Sequence, residues 1–376
     1  MKLSDKIESI EGSQTVAFTS LIQQLRQEGR EIINLAVGEP EFDTPVPVIA
    51  ATKKALDAQK TRYSPVSGLS ELRTRLAAQF SGYDTDNILI TNGSKQALYM
   101  IFQVICDPAD EVIIPMPFWV SFIEQVKLAG GRPVPVATRD HQLNCEAIEA
   151  AVTPRTKAIL INSPNNPSGA VYPMTDLQKI AQLADDHDLF VVADEAYDTF
   201  VYDGSVYASV FDIEAVRHRV IVTRSFSKSY SMTGFRIGYI AAPGLIIAAL
   251  SKIQSHLSGN VCTFAQYGAM AALSLDGDLL SERQSELQQK RDLAFQHVSK
   301  LFPCIKPLGA FYLFPDVSAV LKDNQTSEIL AARLLKQAGV AVVPGEAFGM
   351  AKHMRISFAV SEENLKKGLD QIAEVL

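Results

Sequence analysis

Residues 157–197 read KAILINSPNNPSGAVYPMTDLQKIAQLADDHDLFVVADEAY. Two short apolar runs, 157–161 and 189–193, flank a proline- and asparagine-rich loop and a helix-period segment, 176–186. Strand, crossing helix and second strand make the unit from which parallel sheets are built. The same alternation extends outward in both directions. Further apolar runs lie at 87–90, 111–114, 220–223 and 237–241, with helical patterns such as 95–105 and 119–129 between them. Near-continuous Val/Ile/Leu runs separated by helices predict an α/β fold, a mainly parallel sheet covered on both faces. Ligands of such sheets sit at the C-terminal ends of the strands, so chemistry is sought in the segments that follow the runs.

The chain has 376 residues, 47% hydrophobic and 20% charged, with 35 Lys+Arg against 42 Asp+Glu and a net charge of −7. At about 150 residues per domain this predicts two or three globular domains. A mildly acidic balance without basic blocks argues against nucleic acid or an anionic membrane as partner. Cys106, Cys145, Cys262 and Cys304 are widely spaced and suggest neither a disulfide framework nor a zinc site. The first residues carry Asp5 and Glu8 where a signal peptide needs an apolar run, and the longest apolar stretch, 238–250, is broken by Pro243 and Gly244. A cytoplasmic location is expected, with no metal. From residue 276 the pattern changes to a long charged helix, 279–302, then strands at 311–314, 341–343 and 354–358. The expected division is an N-terminal segment, 1–44, with a helix at 16–28 and a strand at 32–35; a large domain, 45–275; and a small α+β domain, 276–376. The N-terminal segment is expected to pack with the last part.

No G-x-G-x-x-G, G-x-x-x-x-G-K-[ST], H-E-x-x-H or G-x-S-x-G occurs. What remains lies after the strands. Ser225-Phe226-Ser227-Lys228 continues to Thr233-Gly234-Phe235-Arg236-Ile237-Gly238-Tyr239. A lysine among small hydroxyl residues, with an arginine eight positions on, suits an imine with a phosphorylated carbonyl cofactor; the serines and guanidinium would hold a phosphate dianion. A solvated surface loop competes with that reading, and the added G-x-R-x-G-Y weakens it. Asp194, at the end of an apolar run, could pair with a protonated pyridine nitrogen or simply cap the next helix. Tyr197 stands three residues on, within reach of a ring oxygen. Asn162-Ser163-Pro164-Asn165-Asn166-Pro167-Ser168-Gly169 is a turn whose asparagines can donate to an oxygen, or a plain loop. Thr91-Asn92-Gly93-Ser94-Lys95-Gln96-Ala97 opens a helix, a natural anion site.

Together these motifs resemble the fold-type-I, pyridoxal-phosphate-dependent aminotransferases of class I. The likeness runs along essentially the whole chain and includes Gly38-Glu39-Pro40, Tyr63 before Gly68-Leu69-Ser70-Glu71-Leu72-Arg73, and Arg355-Ile356-Ser357-Phe358. It implies a mainly parallel seven-stranded sheet with helices on both faces, plus a smaller α+β domain. It further implies that Lys228 carries the cofactor, Asp194 pairs with its ring nitrogen, and Asn166 and Tyr197 contact its ring oxygen. Gly93, Ser94, Ser225 or Ser227, and Arg236 would bind the phosphate, with Tyr63 reaching the phosphate of the neighbouring subunit in a homodimer. Trp119, the single tryptophan, would stack on the ring unless it is a core or interface aromatic. Arg355, with Asn166 and Gly38, would hold the substrate α-carboxylate.

The implied chemistry is ping-pong amino-group transfer between an amino acid and a 2-oxo acid. The subgroup most resembled is the shorter bacterial aspartate aminotransferases, in which a lysine in G-x-K-Q-A-L binds the distal carboxylate; Lys95 holds that place here. Ser13-Gln14-Thr15 also matches that subgroup, although relatives often carry Lys-Pro where this chain has Glu11-Gly12. The expectation is L-aspartate with 2-oxoglutarate. Aromatic, prephenate or other donors are the alternative, and a β-lyase or decarboxylase using the same lysine is a rival. A DNA-binding regulator has too little chain before the large domain.

Overall fold

Alternating valines and isoleucines direct one set of side chains to each face of a sheet, and here both faces are buried. The computed structural model describes residues 3–8, 10–12, 14–275, 277–322 and 325–376. Its strands are β1 (Ile33–Asn34), β2 (Ile88–Thr91), β3 (Glu111–Met116), β4 (Arg132–Ala137), β5 (Thr156–Asn162), β6 (Phe190–Asp194), β7 (Val220–Ser225), β8 (Gly238–Ala241), β9 (Tyr312–Leu313), β10 (Val340–Ala341), β11 (Val343–Pro344) and β12 (Met354–Ser357). Seven form one sheet in the order β2-β8-β7-β6-β5-β3-β4. All its pairs are parallel except those of β8, which runs antiparallel to β2 and β7. Ile113, Ile159, Val191 and Val222 pack into the core on one face; Val112, Leu160, Val192 and Ile221 pack into the core on the other. Each such burial contributes roughly 1.5–3 kcal/mol.

The hydrophobic alternation passes over β4. Pro133 and Pro135 interrupt its apolar run, yet β4 is an edge strand bonded to β3 alone, where prolines cost no inner hydrogen bond. Prolines on an exposed edge also discourage pairing with another sheet.

The remaining strands lie apart from that sheet. β11, β12 and β9 form an antiparallel sheet, and β1 pairs in parallel with β10, Ile33 opposite Val340. The strand expected at 341–343 is therefore two short strands with different partners, separated by Val342. Leu35, Tyr312, Val340, Ile356 and Leu365 share a second core with the helices Gly277–Leu301 and Glu362–Val375. Among the described residues no helix is long and apolar enough to cross a membrane, and all four cysteines are free thiols.

Candidate active site

The ends of β5, β6 and β7 lie side by side, with Asn162 opposite Asp194 and Asp194 opposite Thr223. Asn162 joins two of them: its Nδ2 donates to the Asp194 carbonyl at 3.0 Å, and its Oδ1 accepts the Asn166 N–H at 3.0 Å. The Asp194 carboxylate is 4% exposed and accepts one hydrogen bond, from the Ala196 N–H at 3.2 Å. Burial pushes its pKa up to about 7, the Ala196 bond and Lys228 opposing and Glu195 adding to the rise.

Beyond β7, Ser225 caps the short helix Phe226–Ser229 by accepting the Ser227 N–H at 3.1 Å. That turn aims Lys228 into the site, where its Nζ donates to the Gly38 carbonyl. Burial pushes the Lys228 amine down to about 8; Glu39 opposes this, and Arg355 and Arg236 reinforce it.

The helix Ser94–Ile105 starts at Gly93, whose φ of 80° suits glycine. A Cβ there would stand 2.5 Å from Arg236 Nη2, so only glycine lets the guanidinium lie against the helix start. Gly93 gives its own N–H back to the Thr91 carbonyl at 2.8 Å, so the anion donors of the first turn begin at Ser94. Arg236, itself left-handed at φ 54°, is steadied by the Thr233 carbonyl at 2.9 Å.

On the opposite wall Arg355 projects from β12 and is 4% exposed. Its Nη1 donates to Asn166 Oδ1 at 3.0 Å and its Nη2 to the Ala36 carbonyl at 2.8 Å, while its buried Nε has no partner among the described residues. The guanidinium lies 4.3 Å from the Tyr312 ring centre, and the Tyr312 hydroxyl meets that of Tyr197 at 2.9 Å. Lys95 places its Nζ 4.9 Å from the Trp119 ring centre; burial and then Arg236 lower its pKa.

These groups enclose a cavity of about 440 Å³. Every residue expected to hold the cofactor or the substrate lines it except Gly93, which stands behind Arg236, and Tyr63, which lies elsewhere and is 98% exposed. Tyr312, Glu39, Thr233 and Asn162 line it too, although the sequence marks none of them for a role. Tyr312 sits in a run of aromatics that signals burial, and the other three lie inside quoted motifs without a signal of their own. Glu11 donates its N–H to Glu124 Oε2 at 3.0 Å and lines an adjoining cavity that shares Lys95 and Arg236 with the first. Ser13 lies outside the described residues.

The chemistry left open by this wall is specific. A buried carboxylate that makes no ion pair among the described residues, a guanidinium beside a helix N-terminus, and an amine that burial lowers to about 8 fit the ring nitrogen, phosphate and carbonyl of pyridoxal phosphate. Arg355, with a buried donor unused, fits a carboxylate.

Residues 30–372 match the family described as aminotransferase class I and II. The chain belongs to that family. As an aminotransferase of this family it depends on pyridoxal phosphate. It is similar to the probable aspartate/prephenate aminotransferase of Aquifex aeolicus, 39% identical, the match covering 100% of this chain and 98% of that one. It is likewise similar to the aspartate aminotransferase of Geobacillus stearothermophilus, 37% identical over 99% of this chain and 98% of the relative. Among solved structures, the Thermus thermophilus aspartate aminotransferase with maleate superposes with a TM-score of 0.95 at 37% identity, covering 100% of both chains. Such an aminotransferase, with its mostly parallel seven-stranded sheet, has the fold-type-I architecture.

Proposed function

We propose that this aminotransferase moves the amino group of L-aspartate to 2-oxoglutarate, in the cytoplasm, as a homodimer. The observation that carries the substrate is a pair of cations on one cavity: buried Arg355 with a free Nε, and Lys95 over Trp119. A four- or five-carbon dicarboxylate would place one carboxylate on each. Names borne by relatives, such as that of the G. stearothermophilus enzyme, agree.

Pyridoxal phosphate, when bound, supplies a carbonyl that captures amines and a ring that withdraws electrons from the α-carbon. The residues do the rest. Asp194 would hold the ring nitrogen in its protonated form, the positive charge favouring the ionised carboxylate. Ser94, Ser225, Ser227 and Arg236 hold the phosphate beside Gly93, while Asn166 and Tyr197 orient the ring oxygen and Trp119 covers the ring. Arg355, Asn166 and the Gly38 backbone fix the α-carboxylate, and this sets the α-hydrogen toward Lys228. Lys228 Nζ would take that proton and pass it to the cofactor's carbonyl carbon within the same half-reaction, and in the second would carry a proton the opposite way, to the α-carbon of the new amino acid; such a positioned base contributes about 10²–10⁴ in rate.

Tyr63 at 98% exposed, with Val46 and Leu245 also bare, supports a partner subunit whose phosphate Tyr63 would reach. The two separate cores support a division into residues 1–44, 45–275 and 276–376, the first packing with the last.

A second reading rests on the adjoining cavity of about 650 Å³, walled by Tyr99, Phe118 and Ile123 and open to Lys95. It favours larger substrates, aromatic amino acids or prephenate. Mixing the cofactor-loaded enzyme with single amino acids, without acceptor, and following the cofactor absorbance separates the two. Fast conversion by L-aspartate and L-glutamate is expected; conversion by aromatic amino acids alone sinks the aspartate assignment.

A further inference from the structure

The helix Gly277–Leu301 lies outside the cavity, yet one of its side chains reaches the backbone on both walls. Arg283 is 7% exposed and makes no ion pair among the described residues. Its Nη1 donates to the Ser229 carbonyl at 3.2 Å and to Ser231 Oγ at 3.2 Å, and its Nη2 donates to the Asp43 carbonyl at 2.6 Å. Its guanidinium also lies 5.0 Å from the Phe42 ring centre. Seven positions on, on the same helix face, Lys290 binds Glu41.

The segments so gripped are the two that meet at the amine. Residues 38–44 carry the Gly38 carbonyl that receives Lys228 Nζ, and residues 228–233 follow the lysine itself. They touch again where Glu39 accepts the Thr233 hydroxyl at 2.7 Å and where Thr44 donates to the Ser231 carbonyl at 2.5 Å. Ser231 adopts a left-handed φ of 52°, a conformation a non-glycine residue keeps only where its surroundings hold it. Arg283 is one of those holds.

We propose that Arg283 is a positioning residue for Lys228: it fixes the turn after the lysine against the segment that carries Gly38, and so sets where the amine stands. The proposal rests on Lys228 as the proton-moving amine. The amine owes its displaced protonation chiefly to burial, so a loosened turn that admits water returns it toward the ordinary lysine range, upward.

The test measures Lys228 acylation against pH in the cofactor-free protein, by mass spectrometry, beside steady-state kinetics of the holoenzyme. Arg283→Met is expected to raise the acylation midpoint by about half a pH unit or more and lower kcat about tenfold with KM changed less than about threefold. Arg283→Lys, keeping a cation donor, is expected to recover part of both. An unchanged midpoint and kcat with a lowered melting temperature overturns the proposal, leaving Arg283 as a packing residue. Should Arg283→Met fail to fold, Ser231→Ala removes a single contact; a smaller shift in the same direction supports the proposal and no shift overturns it. Lys228→Ala with wild-type turnover would instead overturn the reading beneath it, an outcome independent of the Arg283 variants.

Discussion

Asp194 is a residue whose usefulness and whose stability conflict. Its folded pKa of about 7 lies above the usual 3.8, because burial disfavours the charge. A carboxyl raised in this way binds its proton more tightly when folded. The stabilising contribution is complete below about pH 4 and is lost as pH rises to about 7. Asp194→Asn therefore stabilises the cofactor-free protein at pH 8 by up to a few kcal/mol, with little effect near pH 4. The same variant weakens the hold on pyridoxal phosphate and lowers turnover. Melting curves of the cofactor-free protein at the two pH values check the sign, and equal melting gains at both pH values would contradict it. Asp194 and Lys228 were legible in the sequence because each follows an apolar run in a pattern that burial alone does not demand. Tyr312 was not, because Phe311-Tyr312-Leu313-Phe314 encodes a buried strand equally well whether or not its hydroxyl finds Tyr197.

At the level of elements, the helix starting at Ser94 serves the site because nothing projects from the residue before it. Gly93→Ala puts a methyl 2.5 Å from Arg236 Nη2 and asks alanine to adopt a φ of 80°. The strain costs on the order of 1–2 kcal/mol. The displaced guanidinium is expected to weaken cofactor binding about tenfold or more, with a modest loss in melting temperature. Titration of the cofactor-free variant with pyridoxal phosphate measures it; unchanged affinity would remove Gly93 from the account. The elements that could be read ahead were those with continuous apolar runs flanked by helices, β2, β3 and β5 to β8. β4 escaped because two prolines obscure a strand that needs only one neighbour. Residues 341–343 escaped because periodicity records burial and says nothing of which partner each short strand takes.

For the whole molecule the decisive expectation concerns Tyr63, exposed in the single chain and proposed to work in the other subunit's site. Lys228→Ala alone is expected to lose turnover and Tyr63→Ala to bind cofactor poorly. Mixed after partial dissociation, a hybrid dimer holds one site with both wild-type groups. Activity above the sum of the two parents is expected; none above that sum would count against shared sites. The pairing of β1 with β10 has a consequence of another kind. During synthesis Ile33 and Gly38 leave the ribosome well before Val340 and Arg355 do. Non-local pairing of this sort is the slow step of a fold. The nascent large sheet can form beforehand, whereas the wall that seats Lys228 opposite Gly38 closes only once the residues of β10 and β12 have been made, so a chain broken off before them carries the lysine but not its pocket.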